Sequence, residues 1–386
     1  MDINYKKMND MEIIEVKSKR DIKDFVDFQF YIYRNDPYWV PPLKFERIQF
    51  FNPKKNPFYE HSEIALFIAK KDGKSAGTIA AIINHNHNKF YNDKVGFFGC
   101  FEVIKDYEVA RLLLNKVKNW LEEKNMDTMR GPMNFSTNEE CGLLIDGFDS
   151  PPVCMITYNP EYYIDFIERY GFNKAMDLYA YWISLEELRK KAKKLPEKLI
   201  RVVNKIKKRR NLVIRNVDMK KFDEEVERFK KIYNSAWEKN WGFVPMTDTE
   251  MEHFANGLKK FLDPELVFIA EIDNSPVGFS LTIPDINQPL LKINGKLLPF
   301  SWIKFLWYKR KIEICRVLAM GVLEKYRKLG ISAIMHYETS KKLLSKGYKG
   351  AEMSWILENN VMTNREIQAM GGEIYKTYRI YDYKID

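Results

Sequence analysis

Apolar residues recur along this chain at two spacings. Some stretches repeat at every second position and others at every third or fourth, and the switches between them predict an α/β fold. In the second half, 211–217 reads as a short strand. A helix over 220–239 follows, with Phe222, Val226, Phe229, Ile232 and Tyr233 on one face. A second helix over 248–262 is opened by Thr247 or Asp248 as N-cap. Two strands then span 266–284, joined by the turn signal Asp273-Asn274. After an insertion, 285–311, come a long strand 311–322, a helix 330–346, a strand 351–356, a helix 363–370 and a terminal strand 373–384. In the first half, 64–69, 76–83 and 95–103 read as strands, and 107–124 and 160–170 as helices.

The two halves resemble each other. Leu66-Phe67-Ile68-Ala69 matches Val267-Phe268-Ile269-Ala270, Asp72 matches Asp273 and Gly77 matches Gly278, all at an offset of 201 without a gap. The same offset aligns the helix end Phe166–Gly171 with Ile367–Gly372, each closed by a glycine. A shared offset with matching element types indicates a duplication. The expected organisation is a domain over 1–188, a connecting helix over 189–210 and a second domain over 211–386.

Composition changes this picture in one place. The net charge of +10 suggests a nucleic-acid partner until it is located. Residues 189–210 hold 12 basic residues and one acidic residue, which is +11 and leaves the rest near −1. The basic field is therefore one segment, with Leu199, Ile200, Val203 and Ile206 as an apolar stripe. It reads as a solvated connector or as a contact for an acidic partner, RNA or an anionic membrane surface. Cys100, Cys141, Cys154 and Cys315 lack metal or disulfide spacing and are expected to be reduced core residues. His85 and His87 are expected at a polar hairpin end, and no metal site is expected. No apolar run is long enough for a membrane span, and no leader segment is evident, so a cytoplasmic location is expected.

The candidate chemistry lies in Val317–Met335. A strand runs into a turn carrying Arg327-Lys-Leu-Gly330-Ile-Ser332 and then a helix start. A helix N-terminus offers unpaired N–H groups and positive potential, which suit a pyrophosphate. The stretch resembles the acyl-CoA loop of the GNAT acyltransferase superfamily, usually Gln/Arg-x-x-Gly-x-Gly/Ala, with Ser332 in place of the last small residue. The element order of 211–386 matches that superfamily too. The resemblance implies two tandem GNAT-like mixed-sheet domains. In the first, the equivalent of the loop is Val103–Ala110, which has no glycine and carries Asp106 and Glu108, so that domain is expected to have lost the donor site and to shape the substrate pocket.

By resemblance, acetyl-CoA or another acyl-CoA is the donor. Its pantetheine arm would lie along Met320, Gly321 and Val322. The N–H groups of Lys328, Leu329, Gly330, Ile331 and Ser332 would face its pyrophosphate, with Arg327 and Lys328 adding charge. The carboxylate many members place eleven residues before the loop arginine is replaced here by Arg316, and the late-helix tyrosine is missing. Glu358 and Tyr375 or Tyr378 remain as acid–base candidates, and proximity alone could carry much of the rate.

Two loops carry the acceptor expectations. The long 131–152 segment offers Asn134, Ser136, Asn138 and Glu139, with Arg316, to a small-molecule amine or peptide. The aromatic and basic segment 297–311 reads as a buried interdomain or homodimer contact, an acyl pocket, or an interfacial helix reaching lipid. The favoured function is acyl transfer, of acetyl, to an amine. A non-catalytic acyl-CoA-binding or regulatory protein and a tandem transferase using aminoacyl-tRNA stay open beside it.

Overall fold

The computed structural model describes residues 11–191, 201, 211–297 and 299–385. The apolar stripe of Leu199, Ile200, Val203 and Ile206, and most of the basic run, lie outside the described residues. The chain divides into two compact units. One comprises Met1–Asp177 with Tyr378–Asp386, and the other Leu178–Thr377.

In the first unit, β1 (Met11–Glu15), β2 (Ser62–Lys71), β3 (Lys74–Asn84) and β4 (Val95–Val103) form an antiparallel run, and β5 (Thr128–Gly131) joins β4 in parallel. The expected hairpin between β2 and β3 is present, and Asp72 and Gly73 both take positive φ there, as a tight turn of this hand requires. The helix Tyr107–Glu122 presses Val109, Leu113, Leu114, Val117 and Leu121 onto the sheet. A short hairpin, β6 (Met133–Asn134) with β7 (Glu140–Cys141), precedes β8 (Leu143–Asp146), the helix Tyr162–Tyr170 and β9 (Asn173–Ser184).

The stretch after β3 differs from expectation. Asn84 accepts from the N–H of His87 and so caps a helix, His85–Tyr91, in place of a hairpin end. His87 is buried against Tyr91 and Phe97, 3.4 Å from Asp93, and burial pushes its pKa down to about 4.

The second unit carries β10 (Leu212–Asn216), β11 (Val267–Ile272), β12 (Ser275–Pro284), β13 (Ile314–Val322) and β14 (Gly350–Leu357). The first four are antiparallel neighbours, and β14 joins β13 in parallel. The helices Phe222–Trp237 and Asp248–Lys259 are present, the latter with a capping box between Thr247 and Glu250. The insertion folds as two helices, Asn287–Ile293 and Ser301–Lys309, and β13 starts at Ile314. The helices Ile331–Lys346 and Val361–Ala369 precede β15 (Glu373–Lys384).

Each unit takes one strand from the other half of the sequence. In the first unit, Tyr381–Lys384 of β15 pair antiparallel with Gly131–Thr128 of β5. In the second, residues of β9 from Leu178 to Ser184 pair antiparallel with β14. Tyr378, Ile380 and Tyr381 are accordingly buried.

Candidate acyl-donor site

The site grows from a break in strand pairing. β13 and β14 are paired from Ile314–Gly350 to Val317–Met353, and the pairing stops there. On its other side β13 carries a bulge against β12, where Leu281 faces Ala319 and Thr282 faces Val317, so Leu318 is the extra residue. The two parallel strands separate beyond this point. A cavity of about 470 Å³ lies between them, with Val317–Val322 on one wall and Met353–Leu357 on the other. Main-chain groups that a paired strand would consume are left to serve a ligand.

Trp237 closes one side of the cavity. Gly321 permits its close approach, because a Cβ at that position would come within 2.5 Å of the indole. Arg327, Lys328 and Ser332 line the end of the cavity beside the N-terminus of the helix Ile331–Lys346. Gly330 takes φ +73°, the left-handed turn that lets a 3-10 turn over Glu324–Leu329 re-enter helix.

Six of the nine residues expected to contact the donor therefore line one cavity: Met320, Gly321, Val322, Arg327, Lys328 and Ser332. The side chains of Leu329 and Ile331 pack in the core beside Ile334 and Met335. Arg327 is drawn back to the protein, donating from Nε to the carbonyl of Val322 (3.2 Å) and from Nη2 to that of Ala236 (2.6 Å). It ties the loop to β13 and to the helix ending at Trp237, which leaves Lys328 as the side-chain cation of the cavity end. The Ser332 hydroxyl donates to Glu366 at 3.4 Å, and Glu366 also lines the cavity. An anion bound here meets that carboxylate as well as the helix dipole.

The acid–base candidates fall elsewhere. Glu358 and Tyr375 are not among the cavity's lining residues, and Tyr375 packs on Trp182. Arg316 is buried and pairs across the sheet with Glu352, its register partner on β14, at 3.6 Å. It also donates to the carbonyl of Ser354 at 3.2 Å. Glu352 is fully buried. Burial pushes its carboxyl up to about 7, against the pull of Arg316. The residue that replaces the family's carboxylate thus has a carboxylate beside it. Sequence reasoning missed Glu352 because parallel pairing joins it to Arg316, and a local pattern carries no signal for that. His336 lines the cavity too, and burial lowers its pKa to about 4, so it is neutral at pH 7.

In the first unit the corresponding gap is filled. A Cβ on Gly99 of β4 would lie 1.7 Å from the carbonyl oxygen of Met133, so β6 presses directly on β4. Asn134 Oδ1 accepts from the N–H of Cys100 (2.8 Å), and its amide donates to Glu140 (3.2 Å). Ser136 accepts from the N–H of Asn138, and the N–H of Glu139 donates to the carbonyl of Ser136. These expected acceptor residues bond within their own loop and, through Asn134, to β4. Asp106 caps the helix Tyr107–Glu122 and pairs with Lys71, placing a carboxylate where a phosphate would need amide hydrogens. Nearby, buried Glu102 accepts from Tyr33 (2.8 Å), Tyr163 (2.9 Å) and Gln29 (3.1 Å), and burial raises its carboxyl to about 7.

The chain is 34% identical over 374 residues to the protein YghO of Escherichia coli, covering 95% of this chain and 94% of that one. It is 34% identical over 380 residues to the bacterial ceramide synthase of Caulobacter vibrioides, covering 97% of each. The chain belongs to the family of these two proteins. No protein-family model matches it.

Solved structures share the fold of this chain. A tandem GNAT protein from the clavulanic acid biosynthesis pathway superposes with a TM-score of 0.58 at 10% identity, covering 98% of this chain and 99% of that one. A GCN5-related N-acetyltransferase from Sphaerobacter thermophilus gives 0.51 at 12% identity, covering 97% and 96%. The fold is that of tandem GNAT proteins, as the loop and the element order implied. Among the described residues no helix is long and apolar enough to cross a membrane, and no cluster of His, Cys, Asp or Glu is placed to hold a metal ion.

Proposed function

We propose that this chain is an acyl-CoA-dependent N-acyltransferase whose acceptor is the amine of a long-chain amino alcohol. The observation that carries the reading is the cavity between β13 and β14, which ends on Lys328, Ser332 and a helix N-terminus. A thioester donor supplies an activated acyl carbon. The side of β13 that β14 leaves unpaired, at Met320 and Gly321, suits the amide groups of a pantetheine arm, and the helix start with Lys328 suits its phosphates. Arg327 holds the loop in place from behind.

The acceptor class comes from the relative. A ceramide is the amide of a fatty acid with a long-chain amino alcohol, and the ceramide synthase aligns over nearly the whole chain. This favours a fatty acyl group over acetyl. The amine nitrogen must lose a proton as its bond to the acyl carbon forms, and the departing sulfur must gain one. Glu352 does not itself line the cavity; its carboxyl, which titrates near neutrality beside Arg316, adjoins Ser354, which does, and is assigned to take that proton by way of Ser354.

The experiment is direct. The purified chain is incubated with a fatty acyl-CoA and sphinganine, amide is detected by mass spectrometry, and released CoA thiol is titrated. Protection against thermal unfolding by CoA is measured in parallel. Absence of both protection and amide at millimolar CoA sinks the reading. Arg316 at the usual carboxylate position favours a second reading, binding without turnover, which predicts protection with no thiol release over a broad panel of amines.

A further inference from the structure

The insertion between β12 and β13 has a surface that the donor site leaves unexplained. In the helix Ser301–Lys309 no residue is buried. Helical spacing sets Trp302, Ile303, Leu306 and Trp307 on one side, and that side faces outward. Trp302 is 48% exposed, Ile303 54%, Leu306 50% and Trp307 51%, while Phe300, just before the helix, is 75% exposed. The half-buried residues Phe305 and Tyr308 lie on the opposite side. The amphipathic order of a surface helix is thus inverted, with the larger apolar face turned to solvent.

The charges around this face have one sign. Residues 287–311 contain six basic residues, Lys292, Lys296, Lys304, Lys309, Arg310 and Lys311, and no acidic one. On the helical wheel Lys304 and Lys309 flank the apolar face on its two edges. Lys311 lies 3.5 Å from the centre of the Trp307 ring. Outward indoles and aliphatic side chains bordered by cations fit the boundary between acyl chains and anionic headgroups, where indole rings concentrate and basic residues meet phosphate. A protein partner for this face would need acidic groups around an apolar centre. An anionic bilayer supplies both layers at once.

We infer that Phe300–Lys311 is an interfacial anchor that docks this protein on the surface of an anionic lipid bilayer without spanning it. The inference stands on the surface itself. It would also bring the chain to the phase where a long-chain amine and its amide product reside, but its test contains neither.

The full chain is mixed with phosphatidylcholine vesicles, with or without a phosphatidylglycerol fraction, and flotation is scored at low and high salt. Wild type is expected to float with the anionic vesicles and to be released by salt. Brominated lipid is expected to quench part of its tryptophan fluorescence. Trp302→Ser with Trp307→Ser should weaken partitioning about tenfold or more and remove that part of the quenching. Lys304→Glu with Arg310→Glu, which leaves the apolar face intact, should weaken it at least about fivefold per charge removed. Unchanged melting temperatures check that both variants fold. Failure of wild type to float, equal flotation of wild type and both variants, or a dimer in solution that the tryptophan variant dissociates would each overturn the inference. An inactive chain that still floats would leave it standing while removing the acyl-transfer reading.

Discussion

Glu102 and Glu352 show how much a single buried carboxyl can determine. Each is pushed up to about 7 from an ordinary value of 4.5, chiefly by burial. For Glu102 the consequence is in stability. The folded state keeps a proton that the unfolded chain releases, so this contribution is complete below the ordinary value and is lost as pH rises through about 7. Its size is at most on the order of 3 kcal/mol. Glu102→Gln retains an oxygen for Tyr33 and Tyr163, so its urea midpoint should change less than wild type's between about pH 5 and about pH 8. A wild-type profile as flat as the variant's would rule this out. For Glu352 the consequence is in rate. If it takes the amine proton, kcat/KM should climb with pH through an apparent pKa near 7. Glu352→Gln should erase that limb and lower turnover by about a hundredfold, while CoA still protects the fold. Neither carboxyl stood out in the sequence. Both owe their raised pKa to burial, which only tertiary packing creates, with partners that lie far along the chain, whereas Arg327–Ser332 were legible because their geometry is local.

At the scale of elements, the donor cavity depends on three adjoining features: the bulge at Leu318, the end of pairing at Val317–Met353 and the glycine that admits Trp237. Gly321→Val should test the last. Its side chain would meet Trp237 and Ala236, so the helix must shift or the indole must swing into the cavity. The expected cost is about 1–3 kcal/mol in stability, with loss of CoA protection. A variant that melts lower yet still gains protection from CoA would separate the packing role from the binding role. The element order was readable because period-two and period-four stretches are long in this chain. The hairpin turns were readable because paired positive-φ residues have few sequence solutions. Two elements were not. The helix His85–Tyr91 depends on a single capping asparagine, and the insertion looked like loop because its helices are short and one shows its apolar side to solvent.

At the scale of the whole molecule, the exchanged strands matter most. Tyr381–Lys384 complete the sheet of the first unit, although about 200 residues separate them from the rest of it. A fragment ending at residue 188 should therefore lack the strand beside β5 and expose that edge. It should be aggregation-prone or loosely folded by near-UV circular dichroism, and a peptide spanning 373–386 added in trans should restore order. A fragment that folds cooperatively alone would contradict this. The internal repeat pointed to a duplication, but repeats are blind to which copy's terminal strand lies in which sheet. The exchange also sets a timetable for biosynthesis. At usual elongation rates the ribosome needs roughly 10–40 s to travel from β9 to the last strand. For that interval the first half of the nascent chain waits with one edge of β5 unpartnered, so chaperone capture of this intermediate, rather than the stability of the finished protein, is the step on which the yield of correctly closed molecules turns.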